Sequence, residues 1–371
     1  MRWSKERKRE YDDDIMTHPS DGEAWQALDR FDPEFGSDPR SIRFGLATDG
    51  FTPFSMGAAP YSCWPVFIVP YNLPPHMCMK EGFVFLAMVI PGPKHSGKNI
   101  NVYMEPLIEE LQELWIGVEA YDVVANERFT LRAAYLFSFH DLPAYGIWAG
   151  WCVHGRMCCP ICMADTDAFI LKYGGKVSFF DCHRRELLPK NEYRFDTVSF
   201  RKGKAVTKRR PSKRLKGEQI VEWLDELVDD DDGGFLGYGE EHNWTHKSCL
   251  WELPYAKALL LPYNIDVMHQ ERNVAESIIS MCFDTDKTKD NVKARKDLAE
   301  ICDRPWLEIQ INYNGKESRP RAPYCLKRED KKQILKWLQT LKFPDRYAAN
   351  IKRAVNVSTV MCKGDIKEVD A

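Results

Sequence analysis

Hydrophobic and polar residues change their spacing several times along the chain. Residues 1–40 are polar, and only Trp25, Leu28 and Phe31 recur at helical intervals, so this stretch reads as an N-terminal appendage. From Ser41 the texture becomes strand-like: in SIRFGLATDG, Ile42, Phe44 and Leu46 alternate with smaller or polar neighbours and end in the turn pair Asp49-Gly50. YSCWPVFIVP and GFVFLAMVI are two further short apolar runs bounded by Pro or Gly, which predicts an antiparallel start to a sheet. EPLIEELQELW places Leu107, Leu111 and Leu114 on one helical face, and FTLRAAYLFSFHD supplies a fourth strand ending at Asp141 before Leu-Pro.

Clear periodicity lapses between Trp151 and about Glu241 and returns in ELPYAKALLLPYNIDVMHQERNVAESIISMCF. This last segment is an apolar run followed by a helix with Asp266 as a suitable N-cap. DKTKDNVKARKDL and KREDKKQILKWLQTL are charged helical stretches. The pattern implies an α/β fold, a mixed sheet flanked by helices and split by a large insertion. The expected organisation is an appendage (1–40), the first part of the main domain (41–150), the insertion (151–250), a helix that completes the domain (251–285) and a helical C-terminal segment (286–371).

Composition sharpens this picture in three ways. Hydrophobic residues make up 44% of the chain and there are 11 Trp, enough for a packed core. The net charge of −3 provides no global attraction to nucleic acid, so any such contact must come from local basic clusters. The opening MRWSKERKRE has no apolar segment to direct secretion, and no stretch is long enough to span a membrane. Of the 12 cysteines, Cys152, Cys158, Cys159, Cys162 and Cys182 crowd one region, which in an unsecreted chain favours a metal site over disulfides.

Three carboxylates stand out together. Asp49 and Asp141 each end a strand, although an Asp-Gly turn and a helix cap would account for either one alone. On the late helix, Val267, Glu271, Val274 and Ile278 follow at steps of four, three and four, which puts Glu271 on the apolar stripe. A carboxylate buried there needs a cation, since leaving it unpaired costs several kcal/mol. Asp266 and His269 fall on the polar face and are alternates for the same site. Two Asp and one Glu form a hard oxygen set suited to two Mg²⁺ or Mn²⁺ ions and to phosphodiester chemistry.

LATDGFTPF, YSCWPVFIVPYNLPPHMCMK, VIPGPKHSGKNINVYMEPLIEELQELW, HDLPAYG, CPIC, CHRREL, NIDVMHQERN and KFPDRYAANIKRAVN occur here in the order seen in CACTA-type (En/Spm) plant DNA transposases. The chain resembles that family over nearly its whole length. The resemblance implies an RNase H-like domain in the nucleus that cleaves DNA and transfers strands at transposon ends. Its partners would be the terminal sequences and an accessory element-encoded DNA-binding protein, and a homo-oligomer is compatible with it. The resemblance also implies an acidic triad at Asp49, Asp141 and Glu271, with Asp266 in the same segment as the rival third acid. Family members extend further at both ends, so a truncated copy is expected. A domesticated or decayed protein that binds DNA or partners without cutting is the alternative.

Cys159-Pro-Ile-Cys162 has the spacing of half a zinc knuckle, and Cys182-His183 supplies candidates for the rest. The matching family segments keep Cys159, Cys162 and His183, leaving Cys182, Cys158 and Cys152 to compete for the fourth place around a structural Zn²⁺. A redox pair or two buried thiols are the other readings. Between Arg201 and Lys216 there are nine basic residues and no acid. Lys208, Arg209, Arg210, Lys213 and Arg214 are the candidate DNA contacts within it, although a solvated loop is as good a reading. The acidic run Glu222–Asp232 is placed to mask the basic tract in cis.

Overall fold

The computed structural model describes residues 2–7, 15–53, 61–93, 96–179, 182–197, 210–212, 215–230, 234–260, 262–342, 352, 355–358 and 361–362. The chain divides into two compact units. The first comprises Met1–Phe169, Arg185–Leu188 and Lys208–Val267, and the second Ile170–Arg184, Pro189–Thr207 and Met268–Ala371.

The first unit is built on a five-stranded mixed sheet. In chain order its main elements are α1 (Glu23–Phe31), β1 (Ile42–Thr48), β2 (Trp64–Pro70), β3 (Phe85–Ile90), α2 (Ile100–Ile116), β4 (Val118–Asp122), β5 (Glu127–Leu131), β6 (Ala133–His140), α3 (Leu142–Ala149), α4 (Gly217–Glu226) and β7 (Tyr263–Ile265). The sheet order is β3-β2-β1-β6-β7, while β4 and β5 form a separate hairpin. The three strands expected at the start do pair antiparallel, and β6 and β7 then add parallel to β1 and to each other. A parallel neighbour requires a long crossover, and the intervening chain that contains α2 provides it between β3 and β6.

The central strand β1 is buried along most of its length, as a strand covered on both faces should be. Ile100, Met104, Leu107, Ile108 and Leu111 of α2 recur on one helical face and are all buried in the main core. Trp25, Leu28 and Phe35, from the stretch read as a polar appendage, belong to this same core. Each such burial contributes roughly 2–3 kcal/mol. So do Trp151, Val221, Leu224 and Trp244 from the aperiodic stretch. Their aromatic anchors are spaced too irregularly to register as an element, yet they pack; Trp151 and Trp244, for example, meet edge to face at 4.9 Å.

Arg43 on β1 is fully buried and ion-paired with Asp29. Its guanidinium lies 4.8 Å from the Trp25 ring centre and 4.3 Å from that of Phe35. The pair fastens α1 to the sheet. Gly45 follows at a register shift between β1 and β6, where a Cβ would come within 2.3 Å of the Tyr71 hydroxyl. Gly150 ends α3 at φ 73°, and a side chain there would meet the His246 carbonyl at 2.0 Å.

The second unit contains most of α5 (Val267–Phe283), together with α6 (Val292–Ile301) and α7 (Arg328–Leu338). A small cluster of Leu307, Ala322 and Cys325 forms its apolar centre. Beside it, buried Asp290 accepts two hydrogen bonds from Arg295, at 2.7 and 2.8 Å, one from Arg319 at 3.0 Å and one from the Tyr324 hydroxyl at 2.6 Å. Burial alone would raise this carboxyl's pKa, but these partners hold it down at about 2. On α6, buried Asp297 accepts from the backbone N–H groups of Tyr173 and Gly174, at 2.7 and 2.8 Å, and ties that loop to the helix.

Candidate active site and metal cluster

The last registered pair of β1 and β6 is Ala47 with Phe139, so Asp49 and Asp141 each lie two residues further along neighbouring parallel strands. Ligands in open α/β sheets bind at such carboxyl ends. Both acids line one open cavity of about 380 Å³, with Gly50, Ser62, Trp64, Pro93, Pro143 and Ala144 completing its wall. Asp49 is exposed and its Oδ1 accepts from the Gly50 N–H at 2.6 Å. Asp141 is half-buried and caps α3, its Oδ1 accepting from the Ala144 N–H at 2.8 Å. The cap explains why the strand stops there: Asp141 is extended, and Pro143 falls in the first turn of the helix.

The third parallel strand continues this row. His140 pairs with Ile265, so Asp266 follows β7 in step with Asp141, and its N–H donates to the His140 carbonyl at 2.7 Å. His140 is itself buried, and burial keeps its imidazole neutral by pushing the pKa down to about 3.

Glu271 and His269 lie on α5, in the second unit. The helix forms as its pattern predicts, but no described side chain on it is buried. Val267, Val274 and Ile278 are 66%, 59% and 56% exposed, and Glu271 is exposed with them. The burial argument for a cation at Glu271 therefore fails, because helical spacing identifies a face without saying whether anything covers it.

The cysteine segment folds as a tight turn. The Cys162 N–H donates to Cys159 Sγ at 3.4 Å, and the Met163 N–H to the Cys159 carbonyl at 2.9 Å. The adjacent Cys159 thiol, together with burial, pushes the Cys162 thiol well above its ordinary pKa. Cys162 Sγ also lies 3.8 Å from Glu186 Oε1, and Glu186 accepts from the Ser212 N–H at 2.8 Å. His183 precedes Glu186 by three residues, and Cys182 directly precedes His183. Cys162 and Glu186, both in the first unit, are a thiol and a carboxylate of the kinds that ligate a structural metal such as Zn²⁺, whereas His183 belongs to the second unit. Sequence reasoning passed over Glu186, although it stands inside CHRREL and a carboxylate is an accepted zinc ligand. Cys158, a rival for the fourth place, is half-buried, and burial raises its pKa.

Of the candidate DNA contacts, Lys208, Arg209, Lys213 and Arg214 lie outside the described residues. Arg210 is described, and its carbonyl accepts from Arg185 Nε at 2.9 Å. No described helix is long and apolar enough to cross a membrane.

Comparison with known families gives a match to the model described as transposase family tnp2 over residues 13–227, more than half of the 371-residue chain. The chain belongs to the tnp2 transposase family. The tnp2 match covers Asp49, Asp141, the cysteine turn, His183 and the basic tract, and it ends before Asp266 and Glu271. Membership of the tnp2 family carries with it interaction with DNA in general terms. A comparison with curated proteins gives no match.

Proposed function

We propose that this chain is the catalytic core of a CACTA-type transposase, with an RNase H-like arrangement in which carboxylates at the sheet's edge serve DNA cleavage and strand transfer. The observation that carries this reading is the shared cavity of Asp49 and Asp141 at the carboxyl ends of adjacent parallel strands. The order β3-β2-β1-β6-β7, three antiparallel strands followed by two parallel ones, supports it.

A hard divalent ion fits the donors present. Both side chains are oxygen ligands, and the open 380 Å³ cavity has room for a hydrated ion beside a phosphodiester. Asp49 and Asp141 would hold Mg²⁺ or Mn²⁺, and Asp266, in register with them, takes the third place ahead of Glu271. Such ions activate a water or 3′-hydroxyl and stabilise the leaving oxygen. The chain's own part is to fix the carboxylates: the α3 cap orients Asp141, the Gly50 N–H orients Asp49, and Trp64 and Pro143 wall the site. The cysteine turn with Glu186 would hold Zn²⁺ as a structural staple. The basic tract would contact phosphates, and a substrate of chromosomal DNA would call for the protein to work in the nucleus.

The test is nicking of supercoiled plasmid DNA and transfer of a 3′-hydroxyl strand with Mn²⁺, comparing the parent with Asp49→Asn, Asp141→Asn, Asp266→Asn and Glu271→Gln. Loss of activity in the first three with retention in Glu271→Gln is the expected result. A folded parent that neither nicks nor transfers would overturn the proposal. It would favour a domesticated, non-catalytic DNA- or protein-binding protein, a reading in which the two Asp do no more than cap a helix and close a turn.

A further inference from the structure

The strand that leads into Asp266 is only three residues long, too short to set its own register against β6. A buried polar ladder on β6 faces it. The Pro262 carbonyl, immediately before β7, accepts from the Ser138 N–H at 3.0 Å, from Ser138 Oγ at 3.2 Å and from the Tyr135 hydroxyl. Ser138 Oγ also lies 3.0 Å from the Tyr135 hydroxyl and 2.7 Å from His140 Nε2. Tyr135, Ser138 and His140 are each exposed by 1% or less.

Residues 135 and 138 of a regular strand point to opposite faces. Here the register shift described above, where Phe44 pairs with Tyr135 and the next residue, Gly45, with Phe137, leaves Leu136 as an extra residue. That bulge brings Tyr135 into phase with Ser138 and His140, while Phe137 and Phe139 meet edge to face at 5.3 Å. The Tyr135 and Ser138 hydroxyls thereby converge on one carbonyl in the core, and the His140 ring backs the Ser138 hydroxyl. Phe and Ala at positions 135 and 138 would keep the packing and lose only the hydroxyls.

We infer that Tyr135 and Ser138, with His140 behind the Ser138 hydroxyl, are positioning residues that clamp Pro262, lock the register of β7 on β6, and so set Asp266 beside Asp141. A slip of one residue would turn Asp266 away from the row of carboxylates, and the ladder opposes that slip. The part of the inference that concerns metal binding rests on the function proposed above; the part that concerns register does not.

Two nearly isosteric variants, Ser138→Ala and Tyr135→Phe, test this in the full chain by hydrogen exchange and by titration with Mn²⁺ followed by electron paramagnetic resonance. Exchange in the segment 263–266 should accelerate at least tenfold while β1 and β2 keep the parent's rates, and Mn²⁺ should bind at least fivefold more weakly. Uniform acceleration across the sheet, or unchanged exchange at 263–266, would overturn the positioning role. If the parent binds no Mn²⁺, the metal reading of the site fails, and the exchange comparison still decides whether the ladder sets the register.

Discussion

Asp141 caps α3 and lines the cavity, and the two roles separate by substitution. Asn caps a helix nearly as well as Asp, so Asp141→Asn should leave stability within about 0.5 kcal/mol of the parent, whereas Asp141→Ala should lose about 1 kcal/mol. Both should abolish metal-dependent nicking. Chemical denaturation alongside the plasmid assay reads the two effects independently. Asp290 has no such double duty. Held at about 2, below its unfolded value of 3.8, it gives stability that is present above pH 4 and lost as the pH falls toward 2; the proton linkage amounts to about 2 kcal/mol. Asp290→Asn leaves Arg295 buried without its counter-charge and should destabilise the second unit by about 3 kcal/mol at neutral pH, with a flatter acid limb in a pH series of unfolding curves.

At the level of elements, short apolar runs bounded by Pro and Gly were enough to find β1, β2, β3 and β6, and helical spacing found α2 and α5. Each buries, or could bury, a face with a regular repeat, and that is what a sequence displays. β7 was visible only as an apolar run, because a three-residue strand has no period and depends on β6 for its conformation. Asp49 and Asp141 were legible as strand-end acids. Glu186 was not, since a carboxylate becomes a candidate ligand only through neighbours distant in the chain, here Cys162, while the Ser212 N–H orients it. The cysteine turn should hold one zinc per chain by elemental analysis, and Cys162→Ser should lose it and raise proteolysis around residues 159–186. Gly150→Ala meets both a positive φ and the His246 carbonyl, and should lower stability by about 3 kcal/mol in thermal or urea unfolding.

For the molecule as a whole, the tnp2 match stops at residue 227 but the core of the first unit does not. Trp244, Leu250, Trp251, Tyr255 and Tyr263 all belong to it, and the Tyr255 hydroxyl accepts from the backbone N–H of Tyr135 at 2.8 Å. A chain ending at residue 227 should therefore unfold without a cooperative transition in calorimetry, even though it contains every residue of the family match. Removing the acidic residues of the 222–232 run should strengthen binding of duplex DNA at low salt, with the gain vanishing as salt rises; an unchanged affinity would show that the run masks nothing. The strand order also has a consequence in time. β7 pairs with β6 only after the ribosome has added 125 further residues, the distance from His140 to Ile265, which takes about 6–25 s at ordinary synthesis rates. Throughout that interval the nascent sheet presents an open hydrogen-bonding edge along Ser138–His140, the groups later satisfied by Pro262 and Asp266. Translation speed and chaperone supply should govern the yield of this protein more than its final stability does.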